Sequence, residues 1–489
     1  MPVAEQGFAG PLEQVDETTW RIPRSYKPGM RVDGLIFADE RLMEQAKADQ
    51  APEQVANVAF LPGIQMASLA MPDIHWGYGF CIGGVCATDP EEGGVISPGG
   101  VGYDINCGVR LVRTDLSLED VQPKIEQLVN HLFKRIPAGV GEGGPFKFSR
   151  QEIRSILAEG VGFLKKRGWA TDADIDCTEE HGCLKGADPD AVSDKAIERG
   201  LDQCGTLGSG NHFLEVQVVD EIFDEEAAAA MGLREGGICV MIHSGSRGLG
   251  YQVCDDYLRL FRNTPEKYGI SLPDRQLACA PINSPEGQKY LGAMRAAANY
   301  AWANRQLLMW LTREAFQDFF GRPWEELKMD LVYDVAHNIA KMERHIVGGK
   351  EKLVCVHRKG ATRAFPPLHP EVPERYRNIG QPVIIPGDMG RSSWVLVGQP
   401  GSMEKAFGTT CHGAGRVMSR NEAIRHAKGR RIDQELAEKG IVARARSRTG
   451  LAEEQPDAYK DVSLVVDVVE KAGLAKKVAR LRPLGVVKG

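Results

Sequence analysis

Acidic, thiol and imidazole side chains recur in this sequence beside glycine-rich turns, in a pattern suited to holding a cation. Asp104 and Cys107 are spaced D-x-x-C inside a glycine-rich stretch, so a carboxylate oxygen and a thiolate can face one point. His212, His243 and His337 each lie between an apolar run and a polar or glycine-rich turn. Neutral imidazoles and thiolates are ligands for borderline divalent metals. A buried histidine with satisfied hydrogen bonds explains each one alone, but three in equivalent positions favour a metal site, and a shared thiolate could support two ions.

A second glycine-rich turn, GTTCHGAGRVMSR at 408–420, carries His412 ahead of a predicted helix. Its backbone N–H groups could bind phosphate oxygens, although the Walker pattern G-x-x-x-x-G-K-[ST] is absent. His412 could be a metal ligand, a general base, a nucleophile that forms a phosphoramidate, or a residue that only shapes the turn. Composition does not choose among these roles.

Several loops and the C-terminus offer further candidate contacts to a nucleotide or to RNA. Arg358, Arg363 and Arg391 lie beside glycines in polar loops, where phosphate contact and simple solvation are equally good explanations. Tyr459 is a candidate stacking ring. Lys488 lies at the extreme C-terminus, which is ordered only when a specific role fixes it.

The elements that must position these residues are predicted from hydrophobic periodicity. Apolar residues recur at intervals of three and four over 122–135, 293–320 and 420–438, which predicts packing helices. Short apolar runs that end in turn residues predict strands. These runs are GVRLVRTDL, FLEVQVV, GICVMIHS, DLVYDVA, KLVCVHRKG, QPVIIPG and SWVLVG.

Histidines stand at the ends of four predicted strands. These are His212, His243, His337 and His357. Because α/β folds bind ligands outside strand ends, this placement predicts one shared site. Two further segments are predicted to be helical: AKMERH, whose Glu343 and His345 would point apart, and the basic C-terminal run LAKKVARLRPLGVVKG.

Length and composition limit the function classes. The chain has 489 residues, with 60 Lys and Arg against 66 Asp and Glu, and a net charge of −6 excludes a generally basic coating protein. A hydrophobic content of 43% is typical of a folded chain. Eleven scattered cysteines without an N-terminal secretory segment predict a reducing, cytoplasmic location. The lack of an apolar run of about 18 residues argues against a membrane span.

The predicted fold class is α/β. No repeat or linker divides the chain, so we predict a single large mixed α/β domain over residues 1–489, with the site at strand ends and loops. The acid-rich segment 170–200 is predicted to be a variable surface insertion.

Seven motifs occur in the order found in the RtcB family of RNA ligases, and the chain resembles that family over most of residues 60–489. The motifs are DINCGVR, GSGNHFLE, HSGSRG, AHNIAK, VHRKGATRAFP, PGDMG and CHGAGR. The resemblance implies an RtcB-like fold and a GTP- and Mn(II)-dependent RNA ligase. Such a ligase joins 2′,3′-cyclic phosphate or 3′-phosphate ends to 5′-hydroxyl ends, in tRNA splicing or RNA repair.

The resemblance implies two manganese ions and a covalent intermediate. One ion would be held by Asp104, Cys107 and His212, and the other by Cys107, His243 and His337, with Cys107 bridging. His412 would attack the α-phosphorus of GTP, form a histidine–GMP phosphoramidate and release pyrophosphate. GMP would pass to the RNA 3′-phosphate before the 5′-hydroxyl attacks.

The resemblance also implies a guanine pocket, in which Glu215 accepts from N1–H and the exocyclic amine and Lys488 donates to O6. The implied nucleotide contacts are Asn211, Phe213, Leu214, Glu215, Asn338, Pro386, Gly387, Asp388, Met389, Ser393, Gly413, Ala414, Gly415, Tyr459 and Lys488. Candidate contacts to RNA or phosphate are Arg247, Arg358, Arg363 and Arg416. The implied partners are GTP, RNA as tRNA halves or broken RNA, and an archease-type activator, with no membrane partner.

Two other classes compete with the ligase hypothesis. A dinuclear metal-dependent phosphoesterase would use the same Asp, Cys and His ligands but would not need a guanylylated His412. A non-catalytic RNA-binding module would use the metal only for structure, and GTP turnover would exclude it.

Overall fold

The predicted strands assemble into two large sheets in the computed structural model, which describes residues 7–489. The first sheet has seven strands. In spatial order they are β1 (Glu13–Asp16), β2 (Thr19–Ile22), β3 (Asp33–Phe37), β4 (Ala67–His75), β5 (Ile82–Thr88), β13 (Lys350–Lys359) and β12 (Asn338–Val347).

The second sheet has eight strands and carries most of the predicted ligands. Its order is β11 (Asp330–Ala336), β7 (Gly108–Ser117), β9 (Gly237–Ser244), β8 (Phe213–Ile222), β19 (Ala475–Lys488), β16 (Ser393–Gly398) and β15 (Pro382–Ile385), and β18 (Val442–Ala445) also pairs with β19. Two ribbons pair β6 (Val95–Ile96) with β10 (Ala280–Pro281) and β14 (Ala361–Arg363) with β17 (Thr409–Cys411). The β3–β4 and β18–β19 pairs are parallel, and the other pairs among these strands are antiparallel.

Seventeen α-helical segments surround the sheets in the described part of the chain. They are α1 (Glu40–Ala48), α2 (Ala51–Val58), α3 (Leu118–Val121), α4 (Ile125–Arg135), α5 (Arg150–Glu159), α6 (Val161–Lys166), α7 (Asp172–Asp176), α8 (Asp194–Gly200), α9 (Glu225–Met231), α10 (Arg247–Leu260), α11 (Thr264–Lys267), α12 (Pro285–Phe320), α13 (Pro400–Ala406), α14 (Arg420–His426), α15 (Ile432–Glu438), α16 (Arg448–Glu453) and α17 (Val462–Lys471). The α/β fold class is therefore confirmed. No helix within residues 7–489 is long and apolar enough to cross a membrane.

The long helix α12 is the central packing element behind the second sheet. Ser284 caps its N-terminus by accepting the N–H of Gly287 at 3.0 Å, and Gly321, with φ of 65°, ends it. Most of its length is buried, including Trp302 and Arg305. The helix predicted at 293–320 is confirmed and begins eight residues earlier.

Two sequence predictions of helix are wrong because tertiary pairing decided the conformation. The basic C-terminal run forms β19, which lies between β8 and β16 and is hydrogen-bonded on both sides. The AKMERH segment belongs to β12, so Glu343 and His345 share one face instead of pointing apart. Both are buried, and the His345 ring lies 3.0 Å from the Glu343 carboxylate.

The segment 170–200 is also not a surface insertion. Asp174, in α7, is buried and forms an ion pair of 2.7 Å with Arg313 of α12. Glu179 is buried beside Lys341 and accepts the backbone N–H of Ala336 at 2.9 Å. These two buried acids therefore neutralise cations of the core, and Glu179 supports the strand that leads to the predicted ligand His337.

The predicted helix at 420–438 is confirmed only as two short helices, α14 and α15. Gly429, with φ of 83°, lies between them and breaks the regular backbone. All eleven cysteines are free thiols.

Candidate functional site

One edge of the second sheet gathers the predicted ligands. Because neighbouring strands are antiparallel, the start of one lies beside the end of the next. Cys107 precedes β7, His243 lies near the end of β9, His212 precedes β8 and His337 follows β11. Gly108 pairs with both Ser244 and Ala336, and Phe213 pairs with His243, so these strand ends meet at one place.

The side chains at this edge form a compact cluster of donors. The Cys107 sulfur lies 3.2 Å from Nε2 of His243 and 3.5 Å from Nε2 of His212. Asp104 Oδ2 lies 2.9 Å from Nε2 of His212. The ring of His337 packs 5.9 Å from that of His243, centroid to centroid. Four of the five predicted metal ligands are thus within direct contact, and the fifth lies beside them.

The orphaned nitrogens in this cluster fit a bound metal. Nδ1 of His212 lies 3.1 Å from the carbonyl of Leu207, and this contact orients the ring so that its Nε2 faces the Asp104 carboxylate. A proton or a metal ion must lie between Nε2 and that carboxylate. Both ring nitrogens of His337 and Nδ1 of His243 are buried without a hydrogen-bond partner. Buried polar atoms are normally satisfied, so an absent ligand explains them.

Protonation within the cluster points the same way. Burial lowers the pKa of His243 and of His337 well below the ordinary value, so both rings are neutral and able to coordinate. Burial opposes the ionisation of Asp104, but the His212 ring and the Arg247 guanidinium outweigh it and lower its pKa to about 2. Burial and the Asp104 charge raise the pKa of the Cys107 thiol well above its ordinary value, so a cation must compensate the thiolate.

The loop that carries Asp104 and Cys107 is fixed by the long helix. Asn106 has a left-handed φ of 52°, which an asparagine tolerates better than most residues. Its amide donates to the carbonyl of Ala298, and Arg305 of α12 donates to its backbone and side-chain oxygens at 2.7 and 3.0 Å. Arg305 is itself held by the buried carboxylate of Asp334 at 2.8 Å.

His412 enters the site from the other side, on the turn that follows β17. Its Nδ1 contacts the carboxylate of Asp73, which also accepts the backbone N–H groups of His412 at 3.0 Å and Gly413 at 3.1 Å. Burial opposes ionisation of Asp73, but the His412 ring and the Lys460 ammonium keep its pKa below the ordinary value. The His412 and His337 rings lie 5.4 Å apart, centroid to centroid.

This geometry leaves Nε2 of His412 as the free nitrogen. When Nδ1–H donates to a carboxylate, the imidazole is held in one tautomer and one orientation, with its lone pair on Nε2. The sequence patterns described above assign no role to Asp73. Its 339-residue separation from His412 hides the pair from any local pattern.

A cavity of about 240 Å³ lies in front of His412 and the cluster. Three predicted metal ligands line it, namely Cys107, His243 and His337. Twelve predicted nucleotide contacts line it as well: Asn211, Phe213, Asn338, Pro386, Gly387, Asp388, Met389, Gly413, Ala414, Gly415, Tyr459 and Lys488. Lining residues that sequence reasoning did not assign are His75, Ile82, Gly360, Arg420 and Glu454.

Three predicted nucleotide contacts lie behind the cavity wall. Leu214 is a core residue, and Ser393 accepts the Gly387 N–H at 3.0 Å, which supports the loop at 386–389. Glu215 is buried, and one of its oxygens accepts from Gln217 at 2.7 Å while the other has no partner. Glu215 therefore has one unpaired carboxyl oxygen, buried two residues along β8 from the cavity-lining Phe213.

The C-terminal tail is ordered by the sheet. Lys488 pairs with Phe213 in the β8–β19 register, and its ammonium donates to the carbonyl of Gly210 at 2.7 Å. It lies 3.8 Å from the buried carboxylate of Glu454. The tail is therefore ordered because it is part of a central strand, and Lys488 forms part of the cavity wall.

Burial of Glu215 gives a pH-dependent prediction. Burial raises the pKa of Glu215 to about 8, against 4.5 ordinarily, although Gln217 and Lys488 act in the opposite direction. The folded state thus holds a proton that the unfolded chain releases, so the stability from this group is complete below pH 4.5 and lost as pH rises through about 8. We expect Glu215→Gln, which stays neutral, to gain stability relative to wild type between pH 5 and 8.5, by at most about 5 kcal/mol. Urea unfolding of both proteins at pH 5 and pH 8.5 measures their free energies of unfolding. The same difference between variant and wild type at both pH values would contradict the prediction.

Two predicted phosphate contacts are corrected by the structure. Arg358 is fully buried and makes two hydrogen bonds, of 2.6 and 2.8 Å, to the carboxylate of Glu343. Arg363 is buried between Glu180 and Glu371, at 2.7 and 2.9 Å. Because carboxylates neutralise both guanidinium groups inside the protein, and Thr409 and Gln381 accept from them as well, these arginines hold the core together and do not present a charge to RNA.

The other two candidate arginines lie near the site. Arg416 lines the cavity and donates to the hydroxyl of Tyr459 at 3.0 Å, with its guanidinium 4.9 Å from the ring centroid. Arg247 is half-buried, donates to Thr206 at 3.3 Å and faces Asp104. His357 does not join the histidine cluster, since it accepts from the backbone of Ser97 at 3.3 Å in a separate buried contact.

The fold and site thus define a mixed α/β protein in which a cysteine–histidine centre suited to divalent metal lies beside a carboxylate-oriented histidine. A family model described as tRNA-splicing ligase RtcB matches residues 54–489. The chain therefore belongs to the RtcB family. A relative from Methanococcus maripaludis named tRNA-splicing ligase RtcB is 56% identical in sequence to this chain, over 98% of this chain and 99% of its own length. That of Archaeoglobus fulgidus is 56% identical over the same shares, and the RNA-splicing ligase RtcB of Mycobacterium tuberculosis is 54% identical over 89% of this chain and all of its own length.

Proposed function

We propose that this chain, an RNA ligase by family membership, joins RNA 2′,3′-cyclic phosphate or 3′-phosphate ends to 5′-hydroxyl ends with GTP and two Mn²⁺ ions. The observation that carries the proposal is His412, whose Nδ1 is held by Asp73 and whose Nε2 is left free in a cavity beside the donor cluster. A phosphoesterase would use the same cluster but would not need a histidine that becomes guanylylated.

In the first step, the lone pair on Nε2 of His412 attacks the α-phosphorus of GTP and the bond to the β-phosphate oxygen breaks. Pyrophosphate leaves, and the ring gains a positive charge that the Asp73 carboxylate stabilises through Nδ1–H. The backbone N–H groups of Ala414 and Gly415 border the same cavity and would contact phosphate oxygens. Arg416 also lines the cavity, with its guanidinium paired to Glu454 at 3.2 Å.

In the later steps, an RNA 3′-phosphate oxygen attacks the same phosphorus and takes GMP from His412. The 5′-hydroxyl of the second strand then attacks the activated 3′-phosphate, and GMP leaves. A 2′,3′-cyclic end must first be opened by water to the 3′-phosphate. The archease-type activator implied by the resemblance stays a prediction.

Asp104, Cys107, His212, His243 and His337 would hold the two ions. Divalent ions at such a centre neutralise phosphate charge and favour both attack and departure of oxygen in phosphoryl transfer. The mixed oxygen, nitrogen and sulfur donors also suit zinc or cobalt, so the choice of manganese rests on the family resemblance.

Guanine recognition would use the end of the cavity formed by Phe213, Tyr459 and Lys488. Once Glu215 loses the proton that burial holds on it, its unpaired oxygen would accept the guanine N1–H and amine, and adenine would leave that oxygen unmet. Reaching it requires the Phe213 side of the cavity wall to admit the base edge.

Incubation of the purified protein with Mn²⁺ and α-³²P-GTP tests the proposal. We expect a protein-bound label that is acid-labile and alkali-stable, as a histidine phosphoramidate is. Absence of label in metal-loaded protein, together with hydrolysis of a 2′,3′-cyclic phosphate, would favour the phosphoesterase instead.

The contact between Asp73 and His412 gives a second prediction. Asp73→Asn keeps the shape but removes the charge that fixes the tautomer, so we expect the rate of guanylylation to fall about 10²- to 10⁴-fold. The metal content should stay unchanged, because Asp73 is not among the proposed ligands. Single-turnover labelling and elemental analysis measure both quantities, and a rate within threefold of wild type would contradict the role given to Asp73.

A further inference from the structure

Three tyrosine rings form a continuous aromatic surface that the proposed reaction does not use. Tyr103 and Tyr251 are stacked, with ring centroids 4.8 Å apart and an angle of 28° between planes. Tyr78 packs edge-on against Tyr103 at 5.7 Å. Tyr251 is 50% exposed, and the other two rings are partly exposed. We call these three residues the tyrosine platform.

The tyrosine platform lies outside the lining of the cavity and is joined to it through neighbouring residues. Tyr103 immediately precedes Asp104, and Gly102 lies against the side chain of Asn338, which lines the cavity. The carbonyl of Tyr78 accepts from the ammonium of Lys359, the residue before the cavity-lining Gly360. The platform is therefore continuous with the Asp104 and Asn338 side of the site.

The proposed nucleotide pocket lies inside the cavity, apart from the platform. Its residues Phe213, Tyr459 and Lys488 come from β8, the 459 loop and β19, whereas the platform is built by the 78 and 103 loops and α10. Lys488 meets Phe213 in the strand register and approaches Glu454, not the platform. A guanine base in that pocket leaves the platform free.

Helix α10 also carries a charged pair on the face that bears Tyr251. Tyr251, Asp255 and Arg259 follow one another at intervals of four residues, so they lie on the same face of the helix. Asp255 is paired with Arg259 at 2.7 Å, which reduces its repulsion of a phosphate, and the Arg259 side chain is 70% exposed. An exposed ring face with a guanidinium further along the same helix face suits a single strand, whose base stacks on the ring while its backbone passes the cation.

We propose that the tyrosine platform is a stacking site for an unpaired nucleobase at the end of the RNA substrate, with the face of Tyr251 as the main contact. This inference rests on the proposed RNA ligase function and adds where the strand lies. Single exposed aromatics are common on protein surfaces. A stacked pair beside the candidate site, with the exposed guanidinium of Arg259 two helical turns away on the same face, provides the combination that binds single-stranded nucleic acid without reading its sequence.

Replacement of Tyr251 tests the platform. Loss of one base–aromatic stack costs about 1 to 3 kcal/mol, so Tyr251→Ala should raise the KM for RNA about 5- to 150-fold. Tyr251→Phe should restore the wild-type value because it keeps the ring. Tyr268→Ala, which removes an exposed tyrosine bonded to Glu286, is the matched control. Labelling with GTP alone should be unchanged in all three variants.

Abasic substrates identify the strand that stacks. We expect one of two substrates, abasic either at the 3′-phosphate nucleotide or at the 5′-hydroxyl nucleotide, to raise the KM of wild type but not that of Tyr251→Ala. Terminal 2-aminopurine at the same position should be quenched on binding to wild type and Tyr251→Phe, and less so by Tyr251→Ala.

The outcomes separate this inference from the proposed function. The stacking proposal would be wrong if Tyr251→Ala had a KM for RNA within twofold of wild type. It would also be wrong if wild type and variant were equally sensitive to both abasic ends. Normal GTP labelling in either case would leave the proposed ligase function standing. If wild-type protein were neither labelled by GTP nor able to join RNA, the proposed function itself would be wrong.

Discussion

His412→Ala should abolish covalent labelling by α-³²P-GTP. Removing the nucleophile of a covalent mechanism can cost about 10⁶-fold in rate, and here no other histidine is held by a carboxylate in the cavity among the described residues. RNA joining should be lost with the label. The fold should persist, because the ring makes its main contact with Asp73 at the cavity edge and does not fill the core. Gel autoradiography and thermal unfolding together measure these results.

A matched control for this variant lies in the same segment of the chain. His426, on α14, is exposed and contacts Gln455 at 3.2 Å, so His426→Ala should label normally. His412→Ala should still ligate an RNA whose 3′-phosphate is already joined to GMP. Attack of the 5′-hydroxyl on that activated end does not need the His412 nucleophile. Persistent labelling of His412→Ala would reject His412 as the attacking group.

Cys107→Ala should remove both metal ions together. The thiol lies within 3.5 Å of His212 and within 3.2 Å of His243, so it is the donor that connects the two proposed ligand sets. Loss of an outer-shell partner already weakens metal binding about 10- to 100-fold, and loss of a shared ligand should cost more. Elemental analysis after dialysis should show less than one ion per chain, with labelling by GTP lost in parallel.

Cys239→Ala is the control for the metal prediction. Cys239 is a buried thiol on β9, the same strand as His243, but it does not contact the cluster. It should keep both ions and full activity. If Cys107→Ala retained one ion at full occupancy, the sulfur would not be shared, and a site built from the remaining histidines would have to be considered.

The strand ends were predictable because their chemistry is local. Each of His212, His243 and His337 follows or begins an apolar run, and each run became a strand of the second sheet. The spacing of Asp104 and Cys107 likewise lies within one turn. Alternation of apolar residues fixes where a strand lies, and the turn residue that ends it fixes where its polar neighbour stands.

The wrong predictions share one cause. The C-terminal run and the AKMERH segment carry enough charge and aliphatic character for a helix, yet both became strands because neighbouring strands offered a full ladder of hydrogen bonds. Arg358 and Arg363 look like surface cations in the sequence. Their carboxylate partners, Glu343 and Glu180, come from other strands and loops.

The sequence by itself determined the donor set, the glycine-rich turn of His412 and the family to which the motifs belong, because residue type and short spacing carry that information. Only the tertiary structure decided that Asp73 orients His412 and that Lys488 closes the cavity wall at the end of a central strand. It alone also placed Tyr103 against Tyr251. Each of these contacts joins residues more than a hundred positions apart, and such pairs are fixed by strand order and packing, which no local pattern contains.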